Sequence, residues 1–247
     1  MYLILYIFLC LIIIIYILNS TKKVIIIDNL KHIPKYIKNP IVLVICSVHG
    51  NEPAGYLACK NMLINLNRYH VNGTLLFYSN PNPSGIRNNS RFQEGTNVNL
   101  KDINRNFING GLDKVSKQII KFAKISDLII DLHEGWGYHI QNKSSVGSTI
   151  ITDTKKSSIK QIGKEVVRFI NTKIKDDNKK FVFISKLKPN KHIQHTLRDW
   201  CRNNNKDYML IETSGQGDIQ PISIRINQQE LIVYKILQLF NLVIYKF

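Results

Sequence analysis

No two of the four cysteines (Cys10, Cys46, Cys59 and Cys201) stand in a CxxC pair. That leaves no basis for a disulfide framework or a thiolate metal site. Cys10 in an apolar leader and Cys46 in an apolar run read instead as buried free thiols, which suit a reducing compartment. Acidic residues are scarce: 17 Asp+Glu stand against 34 Lys+Arg, a formal net charge of +17. Such a surplus attracts an anionic substrate, a lipid surface or a nucleic acid, or it reflects a chain in which Ile, Asn and Lys abound throughout. No RNA- or DNA-binding motif accompanies it, so no specific nucleic-acid partner is expected. No internal repeat divides the chain, and 247 residues at 44% hydrophobic are enough for one core.

One long apolar run is present, MYLILYIFLCLIIIIYIL over residues 1–18. It is long enough, though only just, for a membrane helix. No basic residue precedes it and no small-residue cleavage site follows, which disfavours a cleaved signal peptide. Lys22 and Lys23 come next, and the positive-inside tendency then favours a single-pass anchor with the remainder of the chain cytoplasmic. The expected division is an anchor or signal segment over 1–20, a basic linker with one strand over 21–40, and one domain over 41–247.

From the linker onward apolar strand-like runs alternate with helix-like periodicity. Strands are expected over 24–28, 42–47, 74–79, 128–132, 149–152, 181–184 and 208–211. Helices are expected over 53–66, 113–125, 155–174, 192–203 and 228–242. The alternation predicts an α/β fold, a mostly parallel or mixed twisted sheet with helices on both faces. Residues 80–111, rich in Asn, Pro, Gly and Ser, form a long loop, and a loop of that length inside a domain is usually functional.

The chemistry-bearing residues cluster where apolar runs stop. In VLVICSVHGNEP a strand ends near His49, and Glu52 follows on the turn marked by Gly50 and Pro53. Open α/β sheets place their sites at such carboxyl ends. An imidazole and a carboxylate on one turn can bind one Zn²⁺ from the same side, and one further His would leave a fourth position open. In DLIIDLHEG a second apolar run ends at His133. Strand alternation puts Asp131 on the same side, where it can orient the imidazole. The loop carries NPNPSGIR, SRF and KDINRNF, in which Asn104 and Arg105 offer an amide and a planar fork suited to a carboxylate. In YMLIETSG, Glu212 closes another run and can reach the same sheet edge as an acid–base group. Trp136, Tyr138 and His139 either shape a pocket or form a plain turn, and His192 and His195 beside Arg198 and Arg202 read as a surface helix face. His32 and His70 have no identifiable partner.

HGNEP, then NPNPSG…SRF…DINRNF, then DLHEG, then IETSG, in that order, resembles the zinc carboxypeptidase superfamily, and most of all its succinylglutamate desuccinylase/aspartoacylase branch. The resemblance runs from about Ile41 to the C-terminus. It implies one Zn²⁺ per chain held by His49, Glu52 and His133, substrate carboxylate binding by Asn104 and Arg105, and Glu212 as general base and acid. It also implies an Arg that polarises the scissile carbonyl, matched by Arg91 with Arg87 as the alternative, since the loop is long. Ile103 stands where the family has Leu, and the Tyr that some relatives use finds no match here.

The implied activity is hydrolysis of an amide in a small anionic, carboxylate-bearing substrate, of the N-acyl amino acid deacylase kind. A carboxypeptidase acting on peptides or cell-wall peptides is the alternative. A membrane-tethered binding protein that keeps the fold without catalysis is a third reading, disfavoured because none of the three ligands nor the base is missing.

Overall fold

The computed structural model describes residues 23–95, 97–187 and 193–245. The proposed anchor over 1–20 therefore lies outside the described residues, as do Cys10 and His192. Among the described residues no helix is long and apolar enough to cross a membrane.

The chain runs β1 (Val24–Ile26), β2 (Ile41–Cys46), α1 (Ala54–Asn65), β3 (Tyr69–Val71), β4 (Thr74–Tyr78), α2 (Pro83–Asn88), α3 (Lys114–Ile125) and β5 (Leu128–Trp136). It continues through β6 (Thr149–Ile151), α4 (Ser157–Asn171), β7 (Val182–Ile184), α5 (Leu197–Asn203), β8 (Tyr208–Gln216), α6 (Ile222–Leu239) and β9 (Val243–Tyr245). Seven strands form one sheet in the order β1-β4-β2-β5-β8-β6-β7. The first five are mutually parallel, and β6 joins β8 antiparallel while pairing parallel with β7. The mixed sheet with helices thus agrees with the expected class.

Both faces are covered, which is why the central strand β2 is apolar at every position rather than alternating. Val42, Val44 and Cys46 face one core with α1, α4 and α6, while Ile41, Leu43 and Ile45 face a second with α3 and α5. Cys46, Cys59 and Cys201 are free and buried, as the composition suggested.

Four expectations need correction. First, β5 and β8 do not stop at 132 and 211; each runs nine residues, and His133 and Glu212 lie inside the ladder, directly opposite one another. Polar and glycine residues there carry no strand signal of their own; their neighbours across the ladder hold them extended. Second, residues 80–111 are not structureless. Pro83 opens α2 at its first turn behind the cap Asn82, and short 3₁₀ turns occupy Val98–Leu100 and Ile103–Arg105. Third, the last helix begins at Ile222 and ends at Leu239, and the chain then closes as β9 against β3, a two-stranded pair with no alternating pattern to betray it. Helix α5 likewise starts at Leu197, behind the capping box of Thr196 and Asp199, rather than at 192.

Candidate active site

The order β2-β5-β8 sets three carboxyl ends side by side. Past β2 the backbone turns sharply at Ser47, which takes a left-handed φ of 60°. Its Oγ donates to the Glu52 carbonyl at 2.7 Å and accepts the Tyr56 N–H at 2.8 Å, which fastens the turn to the start of α1. Gly50 has no room for a side chain: a Cβ there would meet the Gly85 carbonyl carbon at 1.9 Å. The turn is thereby pressed against α2. Asn82, buried, completes the junction by donating to the Val48 carbonyl at 3.1 Å and the Arg91 carbonyl at 3.3 Å.

His49, Glu52 and His133 are all buried, and their ligand atoms lie within 4.8 Å of one another. Each imidazole turns Nδ1 to a different oxygen of one carboxylate: His49 to Glu52 Oε1 and His133 to Glu52 Oε2, both at 2.9 Å. Each turns Nε2 to an aspartate. His49 Nε2 lies 3.3 Å from Asp102 Oδ1. His133 Nε2 lies 3.3 Å from Asp131 Oδ1, although the pair is not aligned as a hydrogen bond, and Asp131 Oδ2 accepts the Tyr208 hydroxyl at 2.8 Å. Two imidazoles and a carboxylate converging on one point, with carboxylates behind the imidazoles, make a donor set that fits a catalytic zinc ion with an open fourth position.

The charges are mutually adjusted. Burial alone would raise the Glu52 carboxyl, but the two histidines outweigh it and hold it well below its usual range. Asp102 is likewise held well below, against its own burial, by His49 and then Arg91 and Arg105. His133 is raised: burial works against its charge, but Asp131 and Glu52 prevail. Glu212 behaves in the opposite sense. It is buried across the ladder from His133, and desolvation pushes its carboxyl up to about 8. A carboxyl so placed is poised to exchange protons near neutral pH.

The loop residues surround this point unequally. Arg91, partly exposed, donates from Nε to Asp102 Oδ2 at 3.0 Å and from Nη1 to Glu52 Oε1 at 3.5 Å. Arg87 is exposed in the last turn of α2. Asn104 accepts the Leu197 N–H at 3.1 Å through its side-chain oxygen, which leaves its NH₂ to donate elsewhere. Arg105 is half-buried and donates to the Asn104 carbonyl at 2.7 Å. His195 is exposed, and its carbonyl accepts the Phe107 N–H at 3.0 Å, so the two loops are docked together. Arg198 and Arg202 lie beside Asp153 and Asp199. His139 bonds within its own turn, to the Ser145 carbonyl at 2.8 Å, while Tyr138 is buried and Trp136 is 46% exposed.

Two site residues escaped the sequence reading. Asp102 opens the DINRNF motif, so its position behind His49 was within reach of the motif. Gln216, whose Nε2 lies 3.3 Å from Glu52 Oε1 and donates to the Glu134 carbonyl at 2.7 Å, had no local signal.

With this geometry in hand, the likeness to known proteins is specific. Residues 38–137 match the succinylglutamate desuccinylase/aspartoacylase catalytic domain. No curated protein matches in sequence. Among solved structures, the cell shape determinant protein Csd4 from Helicobacter pylori superposes with a TM-score of 0.65 at 20% identity, over 84% of this chain and 53% of that one. Another structure of that protein, described as a D,L-carboxypeptidase with mDAP bound, gives 0.66 at 19%, over 84% of this chain and 52% of that one. A candidate metallopeptidase from Shewanella amazonensis SB2B gives 0.55 at 17%, over 81% of this chain and 76% of that one. The chain spans about half the length of Csd4. The fold is thus zinc carboxypeptidase-like. Within that class, the resemblance to the succinylglutamate desuccinylase/aspartoacylase branch stands, carried by the segment that contains all three candidate ligands.

Proposed function

We propose that this chain is a zinc-dependent hydrolase that cleaves an amide bond in a small carboxylate-bearing substrate, of the N-acyl amino acid deacylase kind. The observation that carries the reading is the convergence of His49, Glu52 and His133, with the raised carboxyl of Glu212 opposite His133. A Zn²⁺ ion held by those three side chains would supply Lewis acidity toward the amide carbonyl and make water a stronger acid.

The chain's own residues account for the remaining chemistry. Glu212 accepts a proton from the attacking water as the new C–O bond forms. Arg91 donates to the carbonyl oxygen as negative charge gathers there. Glu212 then delivers the proton to the nitrogen as the C–N bond breaks. The free NH₂ of Asn104 and the guanidinium of Arg105 hold the substrate carboxylate.

Carboxypeptidase action is the second reading, supported by the likeness to Csd4, structures of which were solved with mDAP and with a tripeptide. The two readings differ in which side of the amide carries the recognised carboxylate. A panel of N-acyl amino acids and C-terminally free peptides, with and without zinc or a chelator, separates them. One zinc per full chain and hydrolysis abolished by chelation are the expected results. A folded chain that takes up no zinc, and is unaltered by His49→Ala, overturns the reading. The proposal that residues 1–18 anchor the chain in a membrane, with the domain cytoplasmic, is supported by their sequence alone, and fractionation of cells expressing the full chain tests it.

A further inference from the structure

Glu134, the residue after the third ligand, has no part in the proposed chemistry, yet it is 1% exposed and every polar group it owns is engaged at the site's floor. Its N–H donates to Glu52 Oε2 at 3.1 Å, and its carbonyl accepts from Gln216 Nε2 at 2.7 Å. Side-chain Oε1 accepts the Ala54 N–H at 2.7 Å, at the head of α1, where the local sequence supplies no side-chain cap. Oε2 pairs with Nη1 of Arg225, which reaches in from α6 and is itself 4% exposed. Arg225 also donates from Nη1 to the Gly215 carbonyl at 3.2 Å and from Nη2 to Asp218 Oδ1 at 3.0 Å. Gly215 is shaped around this pair: a Cβ there would fall 1.8 Å from Glu134 Oε2 and 2.8 Å from Arg225 Nη1.

A buried ion pair is weak evidence for stability, because desolvating both charges offsets most of their attraction. Its placement is more informative. The anion sits at a helix N-terminus, where the orphan N–H groups and the helix dipole favour it. The ligands come from two separate pieces of chain, His49 and Glu52 from the turn before α1 and His133 from β5. Glu134 is bonded to both pieces and, through Arg225 and Gln216, to the end of β8 beyond Glu212.

From this arrangement we infer that Arg225 and Glu134 are positioning residues: a buried charged clamp that fixes the distance between the two halves of the metal site. The inference rests on the zinc reading above. Outer partners of metal ligands typically contribute about 10- to 100-fold in metal affinity. Co²⁺ binding to the full chain, followed by its visible absorption, provides a readout that turnover does not, and folding is checked by a cooperative thermal melt. Glu134→Gln/Arg225→Met removes both charges without stranding either one and is expected to fold, to bind Co²⁺ about 10- to 100-fold more weakly, and to show an altered spectrum. Arg225→Lys keeps a cation but not the fork, and is expected to fold and to lie between the two. Wild-type affinity and spectrum in either folded variant overturn the inference. A wild-type chain that binds no Co²⁺ overturns the metal reading itself, and this inference with it.

Discussion

Replacing Glu212 by Gln should stabilise the fold while abolishing turnover, and the size of the gain should depend on pH in a defined way. Burial raises the Glu212 carboxyl from its ordinary 4.5 to about 8. At about 1.4 kcal/mol per pH unit, that interval corresponds to about 5 kcal/mol. Below pH 4.5 the folded and unfolded chains both hold the proton, and no penalty exists. Between 4.5 and 8 the unfolded chain releases a proton that the folded chain keeps, so stability falls as pH rises. Above 8 both forms are ionised and the full penalty remains. Gln cannot ionise and escapes it. The stability difference between variant and wild type should therefore be about 1 kcal/mol at pH 5, about 3 at pH 7 and about 5 at pH 9. Urea denaturation of the full chain in chelator at the three pH values measures it. Added zinc should narrow the gap, because a cation beside Glu212 favours its ionised form. A difference that stays flat with pH, or a Gln variant less stable than wild type at pH 9, refutes the claim that Glu212 is a desolvated carboxyl.

Arg91→Ala should lower kcat by about 10²- to 10³-fold with zinc content unchanged, while Arg87→Ala stays within about twofold because Arg87 is exposed in α2; the opposite ranking would reassign the carbonyl-polarising role. Arg105→Ala should raise KM by about tenfold or more for a carboxylate-bearing substrate, the effect of losing a charged hydrogen bond, and should leave the corresponding substrate amide unaffected; equal effects on both would remove Arg105 from carboxylate recognition. Gly50→Ala should cost about 3 kcal/mol in chemical denaturation, since its methyl would collide with the backbone of Gly85; an unchanged midpoint would mean that the turn and α2 can part freely.

Much of the site was legible in the sequence because each key residue ends an apolar run. His49, Glu52, His133 and Glu212 stand where continuous Val, Leu and Ile stop, and the sheet order brings those stops together. The extent of the strands was not legible. Residues 133–136 and 212–216 are polar, small or aromatic without alternation, and they stay extended because they pair across the ladder, with one slip of register that leaves Gly215 without a partner. Nor were the long-range polar contacts. Glu134 with Arg225 and Gln216 with Glu52 are 91 and 164 residues apart, and no local pattern pairs them. The helix in the 80–111 segment did have a signal, an Asn cap before Pro83, which the surrounding Asn, Pro and Gly obscured.

The direct pairing of His133 with Glu212 makes one separation in the site a property of the main chain. Neighbouring strands stand about 4.8 Å apart whatever side chains they carry, so the acid–base group and the third ligand are held on a ruler that point mutations do not rescale. The other distances to Glu212 run through turns and loops. Substrate range can therefore drift, or be redesigned, in the segments 80–111 and 137–148 without changing the backbone spacing of those two rungs.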